Sequence, residues 1–264
     1  MTDQRLAGES TGRVVGVDGC AGGWFAVWTE PDEHGFESGL YVDISALFEA
    51  HGDADRLLVD IPIGLESSTA RDCDRIARRR LGARGTSVFP APCRAVVEYR
   101  QQEGEAATYE RANEMQREQL NSGISRQAWN ITPKIAAMDT YLRADSPAVD
   151  VYESHPELCF AALNDGYPIP QPKSSQRGRA ARFGVFAEWT AGWQSCYEDA
   201  LAAYYRKDVA RDDIVDAMIL CAAGQQPLAS VPAEPPVDKR GVPMQIVAPA
   251  IEPSWAQYTT LAER

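Results

Sequence analysis

The stretch "RDDIVDAMILCAAG", Arg211 to Gly224, constrains the fold more than any other. Gly224 stands where a helix commonly stops, and beyond Asp213 every position except Asp216 is apolar. A helix that is apolar all round is buried rather than laid on a surface. This one nevertheless carries Asp213 and Asp216 three residues apart, on one face. The rest of the chain must supply a layer broad enough to cover a whole helix, and a reason to bury carboxylates with it.

Strand signals supply the layer. Val14–Asp18, Trp24–Trp28 and Phe36–Val42 are strand-like runs separated by the turn material "CAGG" and "EPDEHG", which predicts an antiparallel meander. A short amphipathic helix is predicted at Asp43–Ala50, then a fourth strand at Leu57–Ile61 with the apolar character of a sheet interior. Helical patterns follow at Arg71–Gly82, about Glu105–Leu120 and Gln127–Arg143, interrupted at Ser87–Arg94 by two prolines. A fifth strand, Val149–Glu153, precedes a helix at Glu157–Leu163 with Pro156 at its first position. Further helices are predicted at Arg179–Trp193 and Ser195–Arg206.

Helices between the later strands imply parallel pairing there and helices on both faces of the sheet. The expectation is one α/β domain over residues 13–224: three antiparallel strands, then two parallel ones, with a helical insertion at about residues 66–146. Residues 1–12 read as a flexible tail. Residues 225–264 read as a Pro-rich segment packing on the domain, with one strand at Met244–Val247.

Several carboxylates sit where a core pattern would not put them. Asp18 ends the first strand, Asp60 lies inside "LLVDIPIGL", Glu153 closes the fifth strand, and Asp213 and Asp216 open the buried helix. Each has an ordinary reading. Asp18 caps a turn, Asp60 pairs with Arg71 or Arg75, Glu153 precedes a helix start, and Asp212 and Asp213 cap a helix. Asp18, followed by glycines, is equally placed to hold a metal or to face a nucleotide phosphate. Taken together the acids need compensation, because burying unpaired carboxylates costs several kcal/mol per ion. A divalent cation offers it. Hard oxygen donors, with only three histidines and no C-x-x-C pair among six cysteines, favour Mg2+ or Mn2+ over zinc. Two such ions in one site would stabilise the attacking and leaving oxygens of an in-line phosphoryl displacement.

Ser87 and Arg94 in "SVFPAPCR", and Lys134 in "ITPKI", are candidates to line a groove and touch phosphates, against the plainer readings of a rigid loop and a helix-start lysine. His155 is a candidate to contact substrate or tune a bound water, against a histidine satisfied at a helix start. Trp24 and Trp28 have strand spacing and read as packing. The formal net charge of −12 excludes a broadly basic nucleic-acid-coating surface and leaves room for a local basic groove. No apolar run approaches the roughly 20 residues that span a bilayer. The N-terminus lacks a basic-then-apolar leader pattern, so a cytoplasmic location with no membrane partner is expected.

"GVDGCAGGW", "VDIPIGL", "RDCDRIARRRLG", "SVFPAPCR", "ITPKI", "ESHPELCF" and "DDIVDA" occur in an order that resembles the family catalogued as domain of unknown function 429, described as a predicted nuclease of ribonuclease-H-like fold. The resemblance runs from about Val14 to Gly224. In the wider ribonuclease-H-like superfamily, a first-strand Asp matches Asp18 and an acid at the fourth strand matches Asp60. A D-x-x-D pair on the last helix matches Asp213 and Asp216, and Glu153 fits as an additional acid. The resemblance implies a ribonuclease-H-like sheet and a nuclease or phosphodiesterase whose catalytic acids are Asp18, Asp60, Glu153, Asp213 and Asp216. Of these, Asp18, Asp60, Asp213 and Asp216 are the expected metal ligands. Nucleic acid of unspecified type is the expected substrate, and a homodimer the expected assembly. Two other classes stay open: a non-catalytic nucleic-acid- or nucleotide-binding protein of the same fold, and an actin- or sugar-kinase-like phosphotransferase. The second of these normally needs another aspartate–glycine phosphate loop, and the chain shows one.

Overall fold

The computed structural model describes residues 5–10, 12–30, 35–144 and 148–250. Strand β1 (Arg5–Ala7) lies in the segment expected to be a flexible tail, so that expectation is corrected for these residues; residues 1–4 lie outside the described residues. Strands β2 (Val14–Cys20), β3 (Gly23–Thr29) and β4 (Glu37–Tyr41) form the antiparallel meander. Strand β5 (Arg56–Val59) runs parallel to β2, and β6 (Asp150–Glu153) parallel to β5. The order β4–β3–β2–β5–β6 makes a mixed five-stranded sheet, antiparallel on one side and parallel on the other.

Helix α1 (Ile44–His51) starts where the Asp43 carboxylate accepts the Ala46 N–H at 2.9 Å. Between β5 and β6 stand α2 (Asp72–Leu81), α3 (Arg94–Glu103), α4 (Tyr109–Leu120) and α5 (Arg126–Ala144). Helix α3 lies outside the sequence expectation, and α4 begins later than expected. Gly104, with φ 55°, ends α3, and the Thr108 hydroxyl caps α4. After β6 come α6 (Pro156–Leu163), α7 (Gln176–Trp189), α8 (Trp193–Ala203) and α9 (Arg211–Gly224).

Strand alternation divides the core in two. Val15, Val17, Leu57 and Val59 face α1 and α5, meeting Leu47, Phe48, Ile135 and Met138. Val14, Phe25, Val27 and Leu58 face the opposite way, toward α6 and α9. Every residue of α9 from Ile214 to Gly224 is buried, as its all-round apolar character requires.

Helix α9 lies across β2, β3 and β5, the middle of the sheet. Glycine permits that approach. A Cβ on Gly16 would strike the Ala217 carbonyl oxygen and the Cys221 nitrogen, both backbone atoms of α9. Gly16→Ala should therefore lift the helix and cost about 1–3 kcal/mol. Gly8→Ala, where a Cβ meets nothing within 4 Å, should change stability by less than about 0.5 kcal/mol. Urea unfolding of the two variants compares them directly, and equal midpoints would refute the close contact.

Beyond α9 the Pro-rich segment carries two strands, not the single one expected. Strands β7 (Leu228–Val231) and β8 (Ile246–Pro249) join β1 in a second sheet, ordered β1–β7–β8. Residues 251–264 lie outside the described residues. Leu228, Met244, Ile246 and Val247 add to the core on the α9 side. Arg56 clasps the parts together: it donates to the carbonyls of Gly224 (3.1 Å), Gln226 (3.3 Å) and Gly8 (3.1 Å). Among the described residues no helix is long and apolar enough to cross a membrane. The six cysteines are buried free thiols.

Candidate functional site

Three elements bring four carboxylates together. Asp18 pairs with Phe25 across β2 and β3, so its side chain shares the face that meets α9. Asp60 follows β5 directly, and its N–H donates to the Val17 carbonyl at 3.1 Å, which continues the parallel register. The two acids thus sit beside each other on one face of the neighbouring strands. Asp213 and Asp216 look down on them from the first turns of α9.

The mutual repulsion shows in their protonation. Burial holds Asp18 well above the usual carboxylate range, and the neighbouring charges of Asp60, Asp216 and Asp213 push it further. Burial also raises Asp60, with His155 and Lys173 pulling the other way. Asp213 rises through burial, against the N–H of Ala210 that donates to it at 2.7 Å. Asp216, 4% exposed, is pushed up to about 6 by burial despite Lys173. Asp18 and Asp60 each keep part of their surface exposed. Neither side chain makes a hydrogen bond or ion pair among the described residues.

Two lysines supply the positive charge. Lys173, in the Pro-rich loop before α7, donates to Asp216 at 2.6 Å and stands 3.7 Å from Asp212. Burial alone would lower its value, but Asp216, Asp18 and Asp212 carry it upward, so it stays an ammonium. Lys134, from α5, donates to the Gly23 carbonyl at 2.6 Å with its ammonium 4.9 Å from the Trp24 ring centre. Burial lowers Lys134, against the pull of Cys20, Asp18 and Asp213. Its stem crosses Gly19, where a Cβ would come within 2.6 Å of the Lys134 Cδ. The glycine turn after Asp18 thus makes room for a lysine.

The other sequence candidates divide. His155 reaches the cluster electrostatically through Asp60, while its Nδ1 accepts the Glu157 N–H at 3.2 Å and caps α6. Ser87 donates its hydroxyl to the Arg84 carbonyl at 2.8 Å, and its own carbonyl lies 3.3 Å from His155 Nε2. Arg94 is buried and held by Asp238 and Asp139, away from the acids. Glu153 is not part of the cluster. Its register partner is Val59, so it faces the side opposite Asp60. There it accepts from both terminal nitrogens of Arg71 at 2.7 Å and from the Ile63 N–H at 2.7 Å. Lys173 was not among the sequence candidates; its only signal is that it is one of four lysines in an arginine-rich chain.

The donor set suits a hard divalent cation, since every candidate ligand is a carboxylate oxygen. The spacing does not. Among the described residues no three His, Cys, Asp or Glu side chains are arranged to hold one ion. The Lys173 ammonium occupies the cationic role beside Asp216.

A family model, protein of unknown function (DUF429), matches residues 16–236. The chain belongs to this family. The DUF429 match covers Asp18, Asp60, Asp213, Asp216 and both cluster lysines, and ends between β7 and β8. No curated protein and no solved structure matches the chain.

Proposed function

We propose that the chain is a metal-dependent nuclease or phosphodiesterase on a ribonuclease-H-like core, with Asp18, Asp60, Asp213 and Asp216 as its working carboxylates. One observation carries this reading: Asp18 and Asp60 lie side by side under α9, raised by burial and mutual repulsion, with no counter-charge in hydrogen-bond reach. Clustered acids strongly perturbed by burial and by one another, at a cost to stability, are a signature of functional sites. Asp18, Asp60, Asp213 and Asp216 are the residues that would hold Mg2+ or Mn2+. A bound ion would supply Lewis-acid stabilisation of charge on a phosphodiester. The chain's own groups do the rest. Asp18 and Asp60 set two carboxyl groups side by side under α9, Lys173 neutralises Asp216, and Lys134 places a positive charge against the Gly23 carbonyl and the Trp24 ring.

The test is cleavage of a mixed panel of DNA, RNA and small phosphodiesters with Mg2+ or Mn2+. Asp18→Asn and Asp213→Asn should each lose activity by about a hundredfold or more. Equal activity in wild type and both variants would sink the mechanism. A second reading, a non-catalytic nucleotide- or nucleic-acid-binding protein of the same fold, draws on the Lys173–Asp216 pair, which already supplies a cation to the site. It expects no turnover in any of the three.

A further inference from the structure

Beside the acid cluster, at the N-terminal end of α9, lies a cavity of about 180 Å³ lined by five cationic side chains together with Ser174, Asp212 and Val215. Lys173, Arg179, Arg182, Arg206 and Arg211 surround it, with Asp212 the one acid. In a chain of net charge −12 such a gathering runs against the composition and needs a cause.

Internal pairing accounts for only part of it. Lys173 is neutralised by Asp216, and the fully buried Arg182 by Glu157. Among the described residues the Arg179 side chain reaches only the Ser174 carbonyl, at 2.7 Å. The side chains of Arg206 and Arg211 make no hydrogen bond or ion pair among the described residues. Three guanidinium groups therefore face one carboxylate, an excess of two positive charges. The N-terminus of α9 adds the positive end of its dipole. Guanidinium groups match the oxygens of a phosphate in shape as well as charge. The cavity is smaller than the roughly 300 Å³ of an ordinary small-molecule site, so it suits one phosphoryl group and not a whole nucleotide.

We propose that this cavity binds a terminal phosphate, the phosphomonoester dianion at the end of a nucleotide or nucleic-acid strand. Lys173 lines the cavity and touches Asp216, so a strand seated by its end phosphate runs toward the carboxylates. The link to cleavage rests on the phosphodiesterase reading. Binding of the phosphate does not.

The experiment measures binding of a short fluorescent single strand, with a 5′-phosphate, a 3′-phosphate or only hydroxyl ends, to the full chain without metal at fixed ionic strength. One phosphorylated end should bind at least about tenfold more tightly than the hydroxyl-ended strand, the scale of a charge-assisted bidentate contact. Inorganic phosphate and a nucleoside monophosphate should compete, and their relative strength separates free phosphate from nucleotide. Arg206→Glu with Arg211→Glu, both exposed positions, should abolish the preference while leaving the melting temperature unchanged. Equal affinity for all strands, or a preference surviving in the double variant, overturns the proposal. Failure to cleave with any metal would instead count against the phosphodiesterase reading and leave the end preference standing.

Discussion

Asp18→Asn should make the protein more stable at neutral pH, by about 1–2 kcal/mol, or roughly 2–8 °C in melting temperature for a chain of this size. The expectation follows from the raised values of the cluster acids. A carboxylate whose folded value lies above its unfolded one favours the folded state while protonated. That stability is fully present below about pH 4 and is lost as pH rises through the folded value. For Asp216, raised to about 6, the loss amounts to about 3 kcal/mol by neutral pH. Removing the Asp18 charge relieves Asp216 and Asp60 as well as Asp18 itself, because each repels the others. The stability gap between variant and wild type should be near zero below about pH 4 and widen as the pH rises above it. Thermal melts across that range read it directly. A variant less stable than wild type at pH 7.5, or a gap independent of pH, would show that the acids do not strain the fold. Mg2+ or Mn2+ should raise the wild-type melting temperature more than the variant's, by mass action on the folded state.

Arg71→Ala should cost about 3–5 kcal/mol, the scale of a buried ion pair left with one partner. Arg71 is 3% exposed and holds both oxygens of Glu153, the Asp74 carboxylate, and the carbonyls of Ile63 and Gly64. Its removal strands two buried carboxylates at once. Lysine should not restore the loss, since one ammonium lacks the planar fork that serves Glu153 and Asp74 together. Glu153→Gln, by contrast, leaves the charge of the Asp18 cluster untouched and should reduce stability without the loss of cleavage expected of Asp18→Asn. Urea unfolding with parallel activity measurements separates these outcomes. A Glu153→Gln protein of normal stability and no activity would return Glu153 to the catalytic set. The network also reaches the site, because Glu153 and Arg71 fix the backbone of Ile63 and Gly64, just after Asp60.

Much of this architecture is legible in the sequence because the signals are local. Short turns between Val14 and Val42 allow only a meander, and the all-apolar face of α9 demands burial. The acids at Asp18, Asp60, Asp213 and Asp216 stand out because charge interrupts apolar runs. What stays hidden depends on contacts far apart in the chain. The face of Glu153 follows from its register with Val59, which strand composition alone does not reveal. Strands β1 and β7 pair across nearly the whole chain, so neither shows alternation enough to stand alone. Helix α3 begins right after "PAPC", whose prolines mask a start that the extended Cys93 provides. Lys173 sits among prolines, with no periodicity to give its partner away. Charge identity was readable; charge pairing was not.

The clasp made by Arg56 bears on the order in which the molecule assembles. Its bond to the Gly224 carbonyl spans 168 residues, a loop whose closure entropy must be met before the contact gives anything back. Until α9 docks, Asp18 and Asp60 stand in water, and the repulsion from Asp213 and Asp216 is not yet felt. The electrostatic strain of the cluster is therefore a late arrival. It belongs to the native state more than to the barrier before it, so relieving it slows unfolding and leaves the rate of folding nearly as it was.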